Sequence, residues 1–140
     1  MWVELAGCVF LGICTAFDCR KKQVPLMVIL TGIALAFFCR VPGVIENTVW
    51  TEILLAILPG VLFLLLAFLT REKVGYGDGW MLIMTGLFLG ERRGALSLVF
   101  SLLTESLVVI VLLAFKKIKR EEEIPFAPFL LLGMGVTLWL

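Results

Sequence analysis

The chain has 140 residues, of which 61% are hydrophobic and 16% charged, a balance far from that of a soluble domain of this length. A net charge of +1, with no basic patch interleaved with aromatics, excludes nucleic acid as an expected partner. The chain contains no histidine, which removes Ser-His, Cys-His and zinc HExxH hydrolysis together.

The apolar residues gather into long runs separated by short charged clusters, the layout of a helical membrane protein. In chain order the runs cover residues 2–17, 24–38, 53–69, 80–89, 95–115 and 126–140. The first run has Glu4 as its first charge and meets no basic residue before Arg20, so it lacks the basic start of a signal peptide and is expected to remain as a membrane helix. The fourth run, bounded by Gly79 and Gly90, is too short to cross a hydrocarbon core of about 30 Å, which takes about 20 helical residues. It is expected to be short or partly re-entrant, with residues 74–79 forming a loop that dips toward local water. Residues 116–123 (KKIKREEE) read as a compact solvated loop of mixed sign. No repeat or linker divides the chain, so the expected fold is all-α: one domain over residues 1–140, a bundle of six transmembrane helices.

Short cytoplasmic loops carry an excess of Lys and Arg. The connections after the first, third and fifth runs hold Arg20, Lys21, Lys22, Arg71, Lys73, Lys116, Lys117, Lys119 and Arg120, against Arg40, Arg92 and Arg93 on the other side. This asymmetry puts both termini outside and the odd-numbered connections in the cytoplasm.

Asp18 and Asp78 are the only two aspartates, and this topology places both at cytoplasmic ends of helices. Two carboxylates held close enough to share a proton carry out aspartyl hydrolysis: one deprotonates a water while the other donates to the scissile carbonyl. No cofactor or metal is required. Around the second of them, Gly75-Tyr76-Gly77-Asp78-Gly79 offers little side-chain obstruction, so Gly75, Gly77 and Gly79 are candidates for close approach to a substrate strand. Asp78 is also placed to cap the fourth helix. A Ser-Lys pair is not available, because Ser97, Ser101 and Ser106 share a helix whose lysines lie beyond its end. Cys8, Cys14, Cys19 and Cys39 lack paired CxxC spacing and read as thiols in or beside apolar segments. Glu105, in the middle of the fifth run, is expected to face the bundle interior, with a hydrogen bond to Ser101, Thr104 or Ser106 as its plainest role.

Three pieces, in order, now resemble the type IV prepilin peptidase family. They are Asp18-Cys19-Arg20-Lys21-Lys22-Gln23-Val24-Pro25, Gly75-Tyr76-Gly77-Asp78, and Ile124-Pro125-Phe126-Ala127-Pro128-Phe129-Leu130. Val24 stands where the family usually has Ile, and Ala127 where it usually has Gly. The resemblance implies that Asp18 and Asp78 are the catalytic dyad, that Pro125 and Phe126 shape the cleft near it, and that the substrates are pilin-like precursors. In those precursors a short basic leader precedes an apolar helix. Larger family members carry a cytoplasmic segment with two CxxC pairs that accompanies N-methylation. Residues 20–23 are too few to hold such a lobe, so peptidase activity without methylation is expected, in a prokaryotic plasma membrane with membrane lipid as the surrounding partner. The alternative is a small membrane transporter or secretion-assembly subunit that uses Asp18, Asp78 and Glu105 as a proton or cation relay.

Overall fold

Small residues recur every three or four positions along most of the apolar runs, and they mark the faces on which the helices meet. Lipid offers no hydrophobic drive between helices, so close backbone approach at small residues decides which faces pack. The computed structural model describes residues 2–40, 49–71, 75–119 and 124–140. It contains six helices: α1 (Trp2–Lys21), α2 (Leu26–Arg40), α3 (Val49–Leu69), α4 (Tyr76–Leu89), α5 (Glu91–Ala114) and α6 (Ala127–Trp139), with no strand among the described residues. The buried positions are Gly7, Leu11, Cys14 and Asp18 on α1, Ile29, Gly32 and Ala36 on α2, and Gly94, Ser97 and Ser101 on α5. Each set is one stripe at helical spacing.

Several helix ends reach beyond the apolar runs into polar residues. Four of the helices begin or finish in residues that are polar, charged or glycine: α1 extends through Asp18 to Lys21, α2 to Arg40, α5 starts at Glu91, and α4 starts at Tyr76. Hydrophobicity marks the lipid-depth part of a helix, whereas backbone hydrogen bonding carries on into the interface. The expected loop at residues 74–79 is corrected accordingly. Gly75 is the N-cap of α4 and residues 76–79 are its first turn, while Val74 lies outside the described residues.

α4 is the hub. It packs against α1, α2, α3 and α5, and Gly79 and every residue from Met81 to Leu89 are buried. Its 14 residues span only about 21 Å, and the surrounding helices cover them. That shielding resolves the difficulty of a run too short for the bilayer. The close contacts are made at glycines. A Cβ on Gly86 would overlap the carbonyl oxygen of Ala56 on α3 and stand within reach of Gly94 on α5, whose own Cβ position is 3.0 Å from the Gly86 Cα. Gly90, with φ +86°, joins α4 to α5 as a single residue, and its N–H closes α4 on the Gly86 carbonyl at 2.7 Å. Arg40 reaches over from α2 and donates from Nε to the Leu87 carbonyl at 3.0 Å, satisfying another carbonyl at this helix end.

The contacts fix the directions. Gly7 of α1 lies against Phe88 and Phe10 meets Met84 beside Gly32, while Leu64 and Ala56 of α3 lie against Gly79 and Gly86 respectively, so both helices run antiparallel to α4. Helices α1, α3 and α5 therefore end where α4 begins. They finish in Lys22, Arg71 and Lys116, at φ of 51°, 51° and 53°, left-handed closing positions where glycine is usual. A cation at each of these ends meets the negative pole of its helix dipole. At the opposite end of the bundle, Glu4 of α1 pairs with Arg93 of α5.

Leu54, Leu62 and Phe68 on α3, and Leu103, Leu107 and Ile110 on α5, are exposed. Three helices, Trp2–Lys21, Trp50–Leu69 and Glu91–Ala114, are long and apolar enough to cross a membrane. An apolar exterior around a small-residue interior is the arrangement of a helical membrane protein.

The α4 contacts lead to a matched pair of outcomes. Gly86→Ala should lower stability by about 1–3 kcal/mol, because the added methyl meets backbone and not a movable side chain. Gly135→Ala, where nothing stands within 4 Å of the added carbon, should be neutral or mildly stabilising. Thermal unfolding in detergent, followed by circular dichroism, checks both.

Candidate active site

Asp18 belongs to the last turn of α1 and continues the Gly7, Leu11, Cys14 stripe, so helical periodicity turns its carboxylate into the bundle; the residue is only 8% exposed. A buried carboxylate needs a donor. Oδ2 of Asp18 accepts a 3.1 Å hydrogen bond from the backbone N–H of Ala127. That donor is available because Ala127 opens α6, and the first N–H groups of a helix have no partner inside it. The N-cap Phe126 supplies no side-chain acceptor, and Pro128 has no N–H. Phe126 is itself buried and stacks on Phe63 of α3, with ring centroids 6.2 Å apart.

Asp78 is the third residue of α4, where the helix dipole favours an acidic side chain. It is not the N-cap residue: that position is held by Gly75, which has no side chain to bond. Its N–H donates to the Gly75 carbonyl at 3.2 Å, and its Oδ2 lies 3.2 Å from where a Cβ on Gly75 would stand.

Helix geometry relates the two carboxylates. Gly7 abuts Phe88, and from that contact Asp18 is eleven residues along α1, while Asp78 is ten residues back along antiparallel α4. At 1.5 Å per residue these are about 16 and 15 Å, which brings both aspartates to one level at one end of the bundle. A path of contacts joins them: Gly79 beside Leu64, the adjoining Phe63 stacked on Phe126, and Ala127 bonded to Asp18.

The three glycines beside Asp78 have different surroundings. Gly79 is buried under Leu64, Gly75 makes room for the Asp78 carboxylate, and a Cβ on Gly77 would meet nothing within 4 Å. Of the five residues expected to contact substrate, Gly77 has open space beside it, Pro125 is half-buried, and Gly79 and Phe126 are packed inside.

Glu105 is half-buried on α5. Ser101 donates its hydroxyl to the Leu98 carbonyl at 2.8 Å, and Thr104 donates to the Phe100 carbonyl at 2.7 Å. Two of the three expected partners therefore spend their protons on their own helix. Gly94 abuts Gly86, and Glu105, eleven residues further along α5, stands level with Gly75, eleven residues back along α4. Glu105 thus stands near the level of the aspartates along the bundle, about one helical turn from Asp78.

The four cysteines are free thiols, and among the described residues no three metal-ligating side chains gather. An apolar groove of about 600 Å³ runs between α3 and α5, with Leu58, Leu62 and Phe63 on one wall and Leu98 on the other. It contains neither aspartate.

Sequence reasoning missed the amide of Ala127, which carries no side-chain signal; the only pointer was a pair of flanking prolines that leave few N–H groups in that turn. The depth of Asp18 was readable, because Gly7, Leu11, Cys14 and Asp18 already sit at helical spacing.

A bundle of six helices with a buried, glycine-bounded fourth and lipid-type side chains outward defines a helical membrane protein. The model of the type IV leader peptidase family matches residues 5–115. The chain belongs to that family, and so to its peptidases. The matched span contains Asp18 and Asp78 and stops short of Ile124-Pro125-Phe126. No curated protein and no solved structure gives a significant match to the chain.

Proposed function

We propose that this peptidase is an intramembrane aspartyl endopeptidase that removes the short basic leader from type IV pilin-like or pseudopilin precursors, using Asp18 and Asp78. The observation that carries the reading is that the two aspartates of the chain, sixty residues apart, stand level at one end of the bundle in a member of a leader peptidase family. One carboxylate takes a proton from a water held between the pair, and the water oxygen attacks the scissile carbonyl. The other, protonated, gives its proton to the carbonyl oxygen. The tetrahedral intermediate then collapses with proton return to the leaving amine.

The trimmed product is released without N-methylation. In support, α1 ends at Lys21 and α2 begins at Leu26, so the connection has no length for a methylating lobe. The relay reading requires carboxylates spread through the depth of the membrane, and no such spread supports it: Asp18, Asp78 and Glu105 stand within about one helical turn of the same level. Co-expression with a pilin-like precursor tests the proposal. The product should lack its leader and carry an unmodified N-terminal amine by mass spectrometry. Ion flux through liposomes without any precursor trimming would replace the peptidase reading by the relay.

The site faces the cytoplasm of a prokaryotic plasma membrane, with both termini outside; the left-handed basic ends of α1, α3 and α5 support this orientation. Two native thiols report on it. Cys19 is exposed at the Asp18 end and Cys39 is exposed at the other, beside Arg40. A membrane-impermeant maleimide applied to intact cells should label Cys39 and spare Cys19, with Cys19 reacting once the cells are opened. The reverse pattern would invert the topology.

A further inference from the structure

The late proline motif lies at the far end of the chain from Asp18 and outside the family match, yet among the described residues it supplies the hydrogen-bond donor of that carboxylate. We propose that the first turn of α6 holds Asp18 in its working geometry through the Ala127 backbone N–H, which makes Ala127 a positioning residue of the peptidase. The proposal rests on the reading of Asp18 as one of the catalytic pair.

Both partners are shielded. Ala127 is fully buried and Asp18 is 8% exposed, so water competes little for either group and the bond is stronger than its surface equivalent. The donor has no other use. It is an unpaired first-turn N–H of α6, and the next N–H in the turn, that of Phe129, donates to the Phe126 carbonyl at 3.0 Å. The carboxylate, in contrast, has two oxygens. Fixing Oδ2 on Ala127 sets the rotation of the group about its Cβ–Cγ bond and leaves Oδ1 to take the proton from water. The turn that carries the donor is itself anchored, by the stacking of Phe126 on Phe63 of α3, the helix whose next residue, Leu64, packs on Gly79 beside Asp78. A shift of this turn would therefore move one aspartate relative to the other. The contribution comes from the backbone of Ala127, so any residue small enough for the site and possessing an N–H fulfils it.

An amide-to-ester exchange at this position removes the N–H and little else. With lactic acid in place of Ala127, introduced into the full chain by nonsense suppression, kcat for precursor cleavage should fall about 10- to 100-fold, the scale of a catalytic group displaced by about 1 Å. KM should stay within about twofold, and the thermal midpoint should drop, because the buried Asp18 carboxylate loses its donor; kcat is therefore measured well below that midpoint. Ala127→Gly keeps the donor and should keep kcat within about threefold. A matched ester at Leu132, exposed in the middle of α6, removes an intrahelical bond and should lower the midpoint while leaving kcat unchanged. An ester at 127 with native kcat, one whose loss lies in KM, or an equal loss of kcat in the Leu132 ester overturns the positioning role. That result, obtained with Asp18→Asn inactive, leaves the catalytic pair standing; an active Asp18→Asn removes the pair and this proposal with it.

Discussion

Asp18→Asn and Asp78→Asn should each reduce precursor cleavage by about 10²- to 10⁴-fold, the range for loss of a positioned acid or base, while the protein still folds. Asparagine is the informative replacement at both positions. At 18 its side-chain oxygen still accepts from the Ala127 N–H, so the buried donor keeps a partner and α6 keeps its seat. Asp18→Ala is a poorer probe, since it orphans that donor at a cost of about 1–3 kcal/mol and mixes loss of fold with loss of chemistry. At 78 the amide retains the shape of the carboxylate in the space left by Gly75, and only the capacity to give and take a proton disappears. The double variant should be no worse than either single one, because residues that act as a unit are not additive. Gel mobility of the precursor and N-terminal sequencing of the product measure the effect. Native-rate trimming by either variant would remove the dyad from the mechanism.

What the sequence made legible was the part of the molecule governed by periodicity and by rare residue types. Six apolar runs became six helices, and the two aspartates, conspicuous by their number, came to one level of the bundle. What the sequence left out depends on three-dimensional company. The 80–89 run read as too short to cross the bilayer, and α4 is short at 14 residues; the sequence did not show that four other helices enclose it. Glu105 is central in its own run, and only the Gly94–Gly86 contact shows that it stands near the level of the first turn of α4. The polar ends of α1, α2, α4 and α5 fell outside the apolar runs because such turns carry no hydrophobic signal even where the backbone stays helical. A backbone donor such as Ala127 N–H carries no signal at all in a one-letter code.

The three glycines around Asp78 should separate into three phenotypes when each is replaced by valine, although in the sequence they read as one flexible element. None has a positive φ among the residues where strain would arise, and Gly75, at φ −66° and ψ 130°, has a conformation open to any L-residue. Space therefore decides. Gly79→Val drives its side chain into Leu64, whose backbone nitrogen is 3.0 Å from the new Cβ; it should cost about 3 kcal/mol or more, as overpacking against main chain does, and abolish the folded state at growth temperature. Gly75→Val leaves the fold in place but sets its Cβ 3.2 Å from Asp78 Oδ2, so kcat should fall about 10- to 100-fold with an unchanged thermal midpoint. Gly77→Val meets no atom of the protein within 4 Å of its Cβ and should fold normally; if a substrate strand passes there, as the open space beside it suggests, the change appears in KM. Expression level, thermal midpoint and kinetics on one precursor resolve the three. Equal loss of folding in all of them would return the motif to a single backbone-flexibility role and detach Gly75 from the Asp78 carboxylate.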